Sequence, residues 1–544
     1  MDGGVQSLLA EQVSVSAGDT SWVLICAALV LFMTPGLAVF YAGMVDRRSV
    51  LVMLQQNILP IAVISLTWII VGYSLAFGKD NASFIGNFEL FGLGDLGQAP
   101  DNPRHIVDAA SHLAIPTLAF VAYQMMFAII TPALISGAVV NRLKAFGWIV
   151  LLAAWSIVVY PPIAHWLWST DGWATKMGAQ DWAGGMVVHT SAGAAVLALL
   201  VVLGRRRVYP DRAPLPHSVP LVILGAGILW FGWFGFNAGD GLRADGLAAQ
   251  AMLNTQVAGA AAMAVWLLIE WLTTRTMTVL GAVTGGVAGL ATITPAAGYV
   301  GTAAAVAIGL IAGLVCHLAL HLKNVFKYDD ALDVVAVHFI GGILGSLLVG
   351  FFGDAAVNPT GKDGIFAGGG GALLGHQVVA LLAVIGYAFG LMLVLAYLIE
   401  WTIGLRVRPE DEDRIDQVQQ DSSAYVVAPP IAAPGDGAQH PARADGRRAG
   451  VVLTAILDRA ELDDQLRQQL ISAGAETILV SSAHNYTAGP VTATVRGQTR
   501  TVPVPAQIRA EVVAPEGREE TISAVLHASP SVACTFSQGA RCDS

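Results

Sequence analysis

Charge is what this chain has least of. Only 12% of its 544 residues are Asp, Glu, Lys or Arg, against the ~25% usual in soluble domains, while 55% are hydrophobic and the mean hydropathy is +0.62. That balance excludes an ordinary soluble protein and predicts a polytopic membrane protein. The formal charge of -10 adds little, because much of it lies outside the hydrophobic part. Cysteine is scarce too: Cys26, Cys316, Cys534 and Cys542 are dispersed, with no metal-ligand spacing and no disulfide framework. Nothing in the composition calls for a metal, a cofactor, an enzyme's nucleophile or nucleic acid. Residues 1–20 lack the basic start and apolar core of a signal peptide, so they read as an extracytoplasmic segment.

What is present is a series of long apolar runs. A bilayer core needs about 20 apolar residues per helix. Runs of that order recur at 21–45, 50–78, 113–140, 146–169, 183–204, 217–238, 249–272, 278–295, 299–322, 332–352 and 372–405. The expectation is about eleven transmembrane helices within 21–408, the eighth being short and Gly/Thr-rich. Alternate loops carry Arg47 and Arg48, Arg142 and Lys144, Arg205 to Arg207 with Arg212, Arg275, Lys323, Lys327, Arg406 and Arg408. The opposite loops hold only Lys79, Arg104, Lys176, Arg243 and Lys362. The excess of Lys and Arg marks the cytoplasmic side. The amino end is therefore expected outside and the carboxyl end inside the cell membrane.

Two of the runs contain an ionisable residue. DWAGGMVVHTSAG (181–193) carries His189 and DVVAVHFIGGILG (333–345) carries His338. An imidazole in hydrocarbon costs several kcal/mol if unsatisfied, so a functional role is the default reading. The alternative is a packing histidine bonded to a neighbouring carbonyl, and His165, His317 and His321, nearer the span ends, are left with it. VVHTSAG and AVHFIGG match in small residues and sit in the fifth and tenth runs, which cross in opposite directions. That is the pattern of an inverted repeat, with a site at the midplane between its halves. No carboxylate lies at mid-depth, which speaks against a sodium or potassium cage. A neutral imidazole pair suits a small polar guest or a proton.

Beyond Arg408 the chain turns polar. PEDEDRIDQVQQD is acidic, and 425–449 is rich in Pro, Ala and Gly, so 409–449 reads as a tail and linker. From 450 to 544 the pattern is that of a soluble module. Strands are expected at 451–457, 477–483, 507–515 and 531–537, helices at 459–474 and 517–528, and a long loop at 484–506. The order βαββαβ is ferredoxin-like.

Between residues 20 and 425 the sequence resembles the ammonium transporter (Amt/Mep/Rh) family. The stretches that carry the likeness are ICAALVLFMTPGLAVFYAGM, GYSLAFG, DWAGGMVVH, WFGFNAG, GLATITPAAGYV and DVVAVHFIGG. The resemblance implies an eleven-helix protomer, a homotrimer in the lipid bilayer, one pore per protomer, and ammonium or ammonia as substrate. It implies that His189 and His338 are the twin histidines of a hydrophobic pore and form a proton relay. It further implies that Phe127 and Phe236 close the outer mouth, that Trp168 offers a cation its ring face, and that Asp181 is structural near the vestibule. Two positions depart from the family: Asp240 stands after FNAG where Ser is usual, and Met186 where Thr is common. A carboxylate at 240 is expected to bind substrate more tightly, or to fill the site through its own hydrogen bonds.

The C-terminal module resembles P-II nitrogen-regulatory signal proteins in its strand and helix pattern, without their nucleotide-binding segments. That resemblance implies a regulatory loop reaching the cytoplasmic pore mouth, here with Arg496 and Arg500. Asp329, Asp330 and Asp333 are the expected acidic partners. Two further readings stand beside transport: an ammonium receptor signalling through the appended domain, and a simple gas channel, which a cation-attracting vestibule disfavours.

Overall fold

In lipid, backbone N–H and C=O groups must pair within the segment, so apolar runs of this length are forced into helices. The computed structural model describes residues 15–94, 96, 115–210 and 216–425. Of the C-terminal part it describes six strands between 450 and 536 as backbone, together with residues 470, 472, 521 and 522. Ten helices are long and apolar enough to cross a membrane: Ala17–Met44, Val50–Phe77, Thr117–Ser136, Ala145–Met177, Gly185–Leu203, Val219–Gly241, Gly246–Thr274, Thr302–Phe326, Val335–Phe352 and Ala372–Thr402. Between the seventh and eighth of these lies the shorter apolar helix Val279–Ile293. In chain order these helices fall on the eleven apolar runs of the sequence, ten of them long enough to cross a membrane and the eighth, Val279–Ile293, shorter. The fourth is broken at Val159, before Tyr160-Pro161-Pro162, and resumes to Trp168; it runs past 146–169 because the short helix Trp173–Met177 follows.

Small residues let the spans approach closely. A Cβ on Gly225 of the sixth span would lie 2.3 Å from the Phe40 nitrogen of the first, and one on Gly43 would lie 2.7 Å from the Val222 nitrogen. Contact of this kind is how helices associate where lipid removes the hydrophobic drive between them. It sets the first and sixth spans side by side along their length.

The tail after the eleventh span is folded onto the membrane unit. The side chains of Ser49 and Lys144, the residues at the N-caps of the second and fourth spans, accept no amide of the helix start. Asp416 supplies the missing acceptor for the second span, taking the Leu51 and Val52 amides at 2.9 Å. For the fourth, Gln419 accepts from the Ala145 amide at 2.8 Å and donates to the Leu143 carbonyl at 2.9 Å. Orphan amides at helix starts are thus satisfied from residues far along the chain.

The chain divides into two compact units, the first Met1–Ala424 with Thr494–Thr499 and the second Tyr425–Ala493 with Arg500–Ser544. Outside the membrane unit's helices, Asp80–Asn81 (β1) and Ile85–Gly86 (β2) form a small antiparallel ribbon. In the second unit β3 (Gly450–Asp458), β4 (Thr477–Ser482), β7 (Gln507–Pro515) and β8 (Ala533–Phe536) make one antiparallel sheet in the order β4–β7–β3–β8. All four strands fall where the sequence puts them. The stretch 484–506 is not simply a loop: it contains the paired strands β5 (Val491–Val495) and β6 (Gln498–Val502). Alternating Val and Thr in VTATV and QTRTV is a strand-forming pattern. Arg500 lies on β6, while Arg496 lies outside the described residues, as do most of the two predicted helices and the linker 426–449.

Candidate functional site

The site begins with one carboxylate. Asp181 is buried, and its two oxygens accept from the amides of Gly184 (3.2 Å), Gly185 (2.6 Å), Met186 (2.8 Å) and Val187 (2.9 Å). The turn needed to bring four amides to one side chain runs through Gly184 at φ 106°, a conformation glycine adopts without strain. Burial pushes the Asp181 carboxyl up to about 6 while those amides pull the other way. So it is still charged at neutral pH. The chain then enters the π-helical turn Gly185–Thr190, which ends beside His189. Wider turns of this kind are frequent at functional sites.

The tenth span repeats the construction. Asp330 accepts from the Val335 amide at 2.8 Å, the chain passes through Asp333 at φ 62°, and the π-helical turn Val335–Phe339 carries His338. Each aspartate stands eight residues before its histidine, and each left-handed residue three after the aspartate. Two equivalent turns therefore deliver two equivalent imidazoles. Their Nδ1 atoms lie 3.2 Å apart, with ring centroids at 5.1 Å and planes inclined by 21°. One Nδ1 must donate and the other accept, so the pair cannot be doubly protonated while this bond exists. Both rings are buried, and His189 Nε2 has no hydrogen-bond partner among the described residues.

The pair lines a narrow cavity of about 20 Å³ whose other walls are apolar or aromatic, among them Leu37, Phe40, Trp233 and Phe236. Above it, Phe127 and Phe236 are in contact at 4.3 Å between centroids. Phe127 also meets Trp168 edge-on at 5.6 Å. The indole N–H of Trp168 donates to the Asp181 backbone carbonyl at 2.9 Å, which fixes the ring over the mouth and ties the vestibule to the histidine turn. Phe127, Phe236, Trp168, Asp181, His189 and His338 thus form one connected stack. Asp240 closes the sixth span one turn beyond Phe236, partly exposed, and makes no hydrogen bond or ion pair among the described residues. The expectation that it fills the site through its own bonds is not met.

Three contributors escaped the sequence reading. Trp233 stacks on His189 at 5.6 Å and is held by its N–H to Thr294 Oγ1 at 2.9 Å. Tyr123 donates to the Gly235 and Phe236 carbonyls at 3.1 and 3.0 Å, locking the helix end that presents Phe236. Phe40 is the third, and a signal for it exists: FYAGM (40–44) and FNAGD (236–240) are a second internal match, in the first and sixth spans. His165 is a packing residue, bonded to the Ala76 carbonyl at 2.8 Å and to Asp80 at 3.0 Å.

The acidic triplet at the other end is a correction. Asp329, Asp330 and Asp333 are all buried, not displayed. Asp329 is held by Arg206 at 2.6 and 2.9 Å and faces buried Arg142 at 3.6 Å, while Asp333 pairs with Lys323. Burial alone would raise Asp329, but the two guanidinium groups overrun it and hold it down at about 2. Such committed carboxylates are not receptors for loop arginines.

Known proteins share this architecture. A model of the Ammonium Transporter Family matches residues 21–425. The ammonium transporter of Mycobacterium tuberculosis is 43% identical over 432 residues, covering 76% of this chain and 91% of that protein. The crystal structure of Candida albicans Mep2 has a TM-score of 0.68 at 31% identity, covering 73% of this chain and 88% of that one. A structure described as a Sensor Amt Protein gives 0.65 at 30% identity over 73% and 96%. At that coverage the assignment follows directly: this multi-pass membrane chain belongs to the Ammonium Transporter Family.

Proposed function

We propose that the chain moves ammonium across the cell membrane by stripping its proton at the mouth and passing ammonia along the cavity of the twin histidines. The observation that carries this reading is the 3.2 Å Nδ1–Nδ1 pair in an apolar cavity under the Phe127–Phe236 contact. An unpaired ion carried into such a cavity faces a desolvation cost of tens of kcal/mol by simple continuum estimates, whereas a neutral guest needs only hydrogen bonds. The shared imidazole bond offers those bonds, and it offers the released proton a path between two basic nitrogens. Trp168 attracts the cation before that step through its ring face. The asymmetry of Lys and Arg between loops supports an outer amino end, and the family resemblance supports a homotrimer in lipid.

Replacing His189 and His338 together by Leu should abolish ammonium-evoked current from purified protein on a supported membrane. Undiminished current would remove the relay. A receptor that binds ammonium without passing it would give no current even as wild type.

Regulation by the C-terminal unit belongs to the same proposal. Its support is the strand order β4–β7–β3–β8, all antiparallel, which is the arrangement of a ferredoxin-like sheet such as a P-II-like domain would have. With the inner aspartates committed elsewhere, charge complementarity no longer argues for a plug by Arg496 or Arg500. What remains is a cis-acting unit, and deleting residues 450–544 should change ammonium current per protomer. Identical currents with and without it would remove the regulatory role.

A further inference from the structure

His165 packs, but its two bonds also fix its charge. Nδ1 lies 2.8 Å from the Ala76 carbonyl oxygen and Nε2 lies 3.0 Å from Asp80 Oδ1. A carbonyl only accepts, and so does an ionised carboxylate, so both ring nitrogens must donate. The ring is then an imidazolium. Its side chain is fully buried, while that of Asp80 is 23% exposed. Burial would raise the Asp80 carboxyl, but the bonds from His165 and the Ser83 amide hold it below its ordinary range. Asp80 is therefore the ionised partner, and the pair is a charge-assisted bond.

This charge sits at a joint. Between β1 and β2 the chain turns through Ala82 and Ser83, both at φ 59°, and the turn is fastened to the fourth span. The Trp166 indole N–H donates to the Phe84 carbonyl at 2.8 Å, the Trp173 amide to the Ser83 carbonyl at 3.0 Å, and the Lys176 ammonium to the Ser83 hydroxyl at 3.0 Å. These attachments fall on either side of Trp168, the last residue of the helix Tyr160–Trp168. The His165 carbonyl accepts from the Ser169 amide at 3.3 Å, so one turn of helix holds Asp80 and ends under the vestibule indole. The other titratable side chains on the helices packed against this one are Tyr73, Lys176 and His189. Lys176 is paired with Asp171 at 3.4 Å and His189 is engaged by His338, which leaves Asp80 to balance His165.

We propose that His165 is a positioning residue for the mouth: as an imidazolium it latches the β1–β2 ribbon to the helix that ends at Trp168, and loss of its proton opens the latch. A neutral ring has one N–H for two acceptors. The bond to Ala76 is the buried one and is kept, so Asp80, which reaches water, lets go and the turn at 82–84 goes with it. Histidine is the side chain that changes charge around neutral pH, so the acidity outside this mouth sets how firmly the Trp168 segment is held. The bearing on ammonium rests on the transport reading above; the latch itself does not.

The test compares the full chain with Asp80→Asn, whose amide can donate to Nε2 and so satisfies a neutral ring on both sides. Ring protonation is read by nitrogen NMR of the histidine-labelled protein in bilayers, His165→Gln identifying the signals by their loss. At about pH 6 both wild-type nitrogens should carry protons, and in Asp80→Asn only one. Between about pH 6 and about pH 9, amide exchange at residues 80–86 should rise severalfold in the wild type relative to Asp80→Asn at the same pH. The half-saturating ammonium concentration on supported membranes should rise likewise, with maximal currents alike; matched pH cancels the acid–base chemistry of ammonium itself. A singly protonated wild-type ring at about pH 6 overturns the proposal without recourse to any variant. Exchange or half-saturation running in parallel in the two proteins overturns it as well. If ring and exchange behave as described but neither protein carries current, the latch stands and the transport reading falls instead.

Discussion

The fifth and tenth spans reach the same pair of imidazoles by the same spacing and by unequal means. In the fifth, Asp181 engages four amides and a glycine takes the left-handed position. In the tenth, Asp330 engages the Val335 amide, its Oδ1 is buried without a partner, and the left-handed position falls to Asp333, tied to Lys323. The first and sixth spans differ as well. Symmetry fixes where the histidines meet. Departures from it set the two halves apart: one carries Trp233 and Asp240 where the other has Leu37 and Met44.

The contrast is most easily broken at the two aspartates. Asp181→Ala leaves four buried amides without their acceptor, and each such loss costs about 1–3 kcal/mol. We expect a loss of several kcal/mol, a displaced His189 and no ammonium current. Asp330→Ala removes one such bond together with an oxygen that is itself unsatisfied, so about 1–2 kcal/mol is expected, with current reduced and retained. Thermal unfolding of the solubilised protein beside current measurement reads both. Equal effects of the two substitutions would show that the hydrogen-bond difference does not matter.

How much of this was legible follows from what each feature depends on. The eleven spans were readable because bilayer thickness imposes run length, and the histidines because an ionisable group in such a run is conspicuous. Four of the six described β-strands of the C-terminal unit, β3, β4, β7 and β8, were readable from their apolar and β-branched residues. The paired strands β5 and β6 lie inside a stretch read as one long loop, whose polar residues gave no burial pattern to mark them. Phe127 and Trp168 were reached only through resemblance, since nothing local distinguishes a gating aromatic from a packing one. Trp233 was hidden for the same reason. The inner aspartates were misread because a sequence displays charge and not burial: Arg142 and Arg206 are more than a hundred residues from Asp329 and neutralise it in the fold. The π-helical turns had no signal, as they depend on where the capping carboxylate meets the amides.

The same inner cluster supplies the smaller prediction, which sharpens the comparison through pH. The Asp329 carboxyl is held at about 2, below its ordinary value of 3.8. A depressed acid stabilises the fold fully above its unfolded value and loses that contribution as pH falls through its folded value. The loss should therefore run from about pH 4 to about pH 2 and amount to ~2 kcal/mol, at about 1.4 kcal/mol per unit. Asp181 has the opposite sense, because burial raises it to about 6. Its contribution is complete below about pH 4 and is lost as pH rises through 6. One half of the molecule is thus weakened by acid and the other by its removal. Unfolding of the solubilised membrane unit, measured from pH 2 to 7, should show the acid limb in the wild type. Asp329→Asn should start less stable, since buried Arg142 and Arg206 lose their counter-charge, and should be flatter between pH 4 and 2. If that variant and the wild type fall in parallel across this window, Asp329 is not held by its arginines, and the inner half is no more acid-sensitive than the outer.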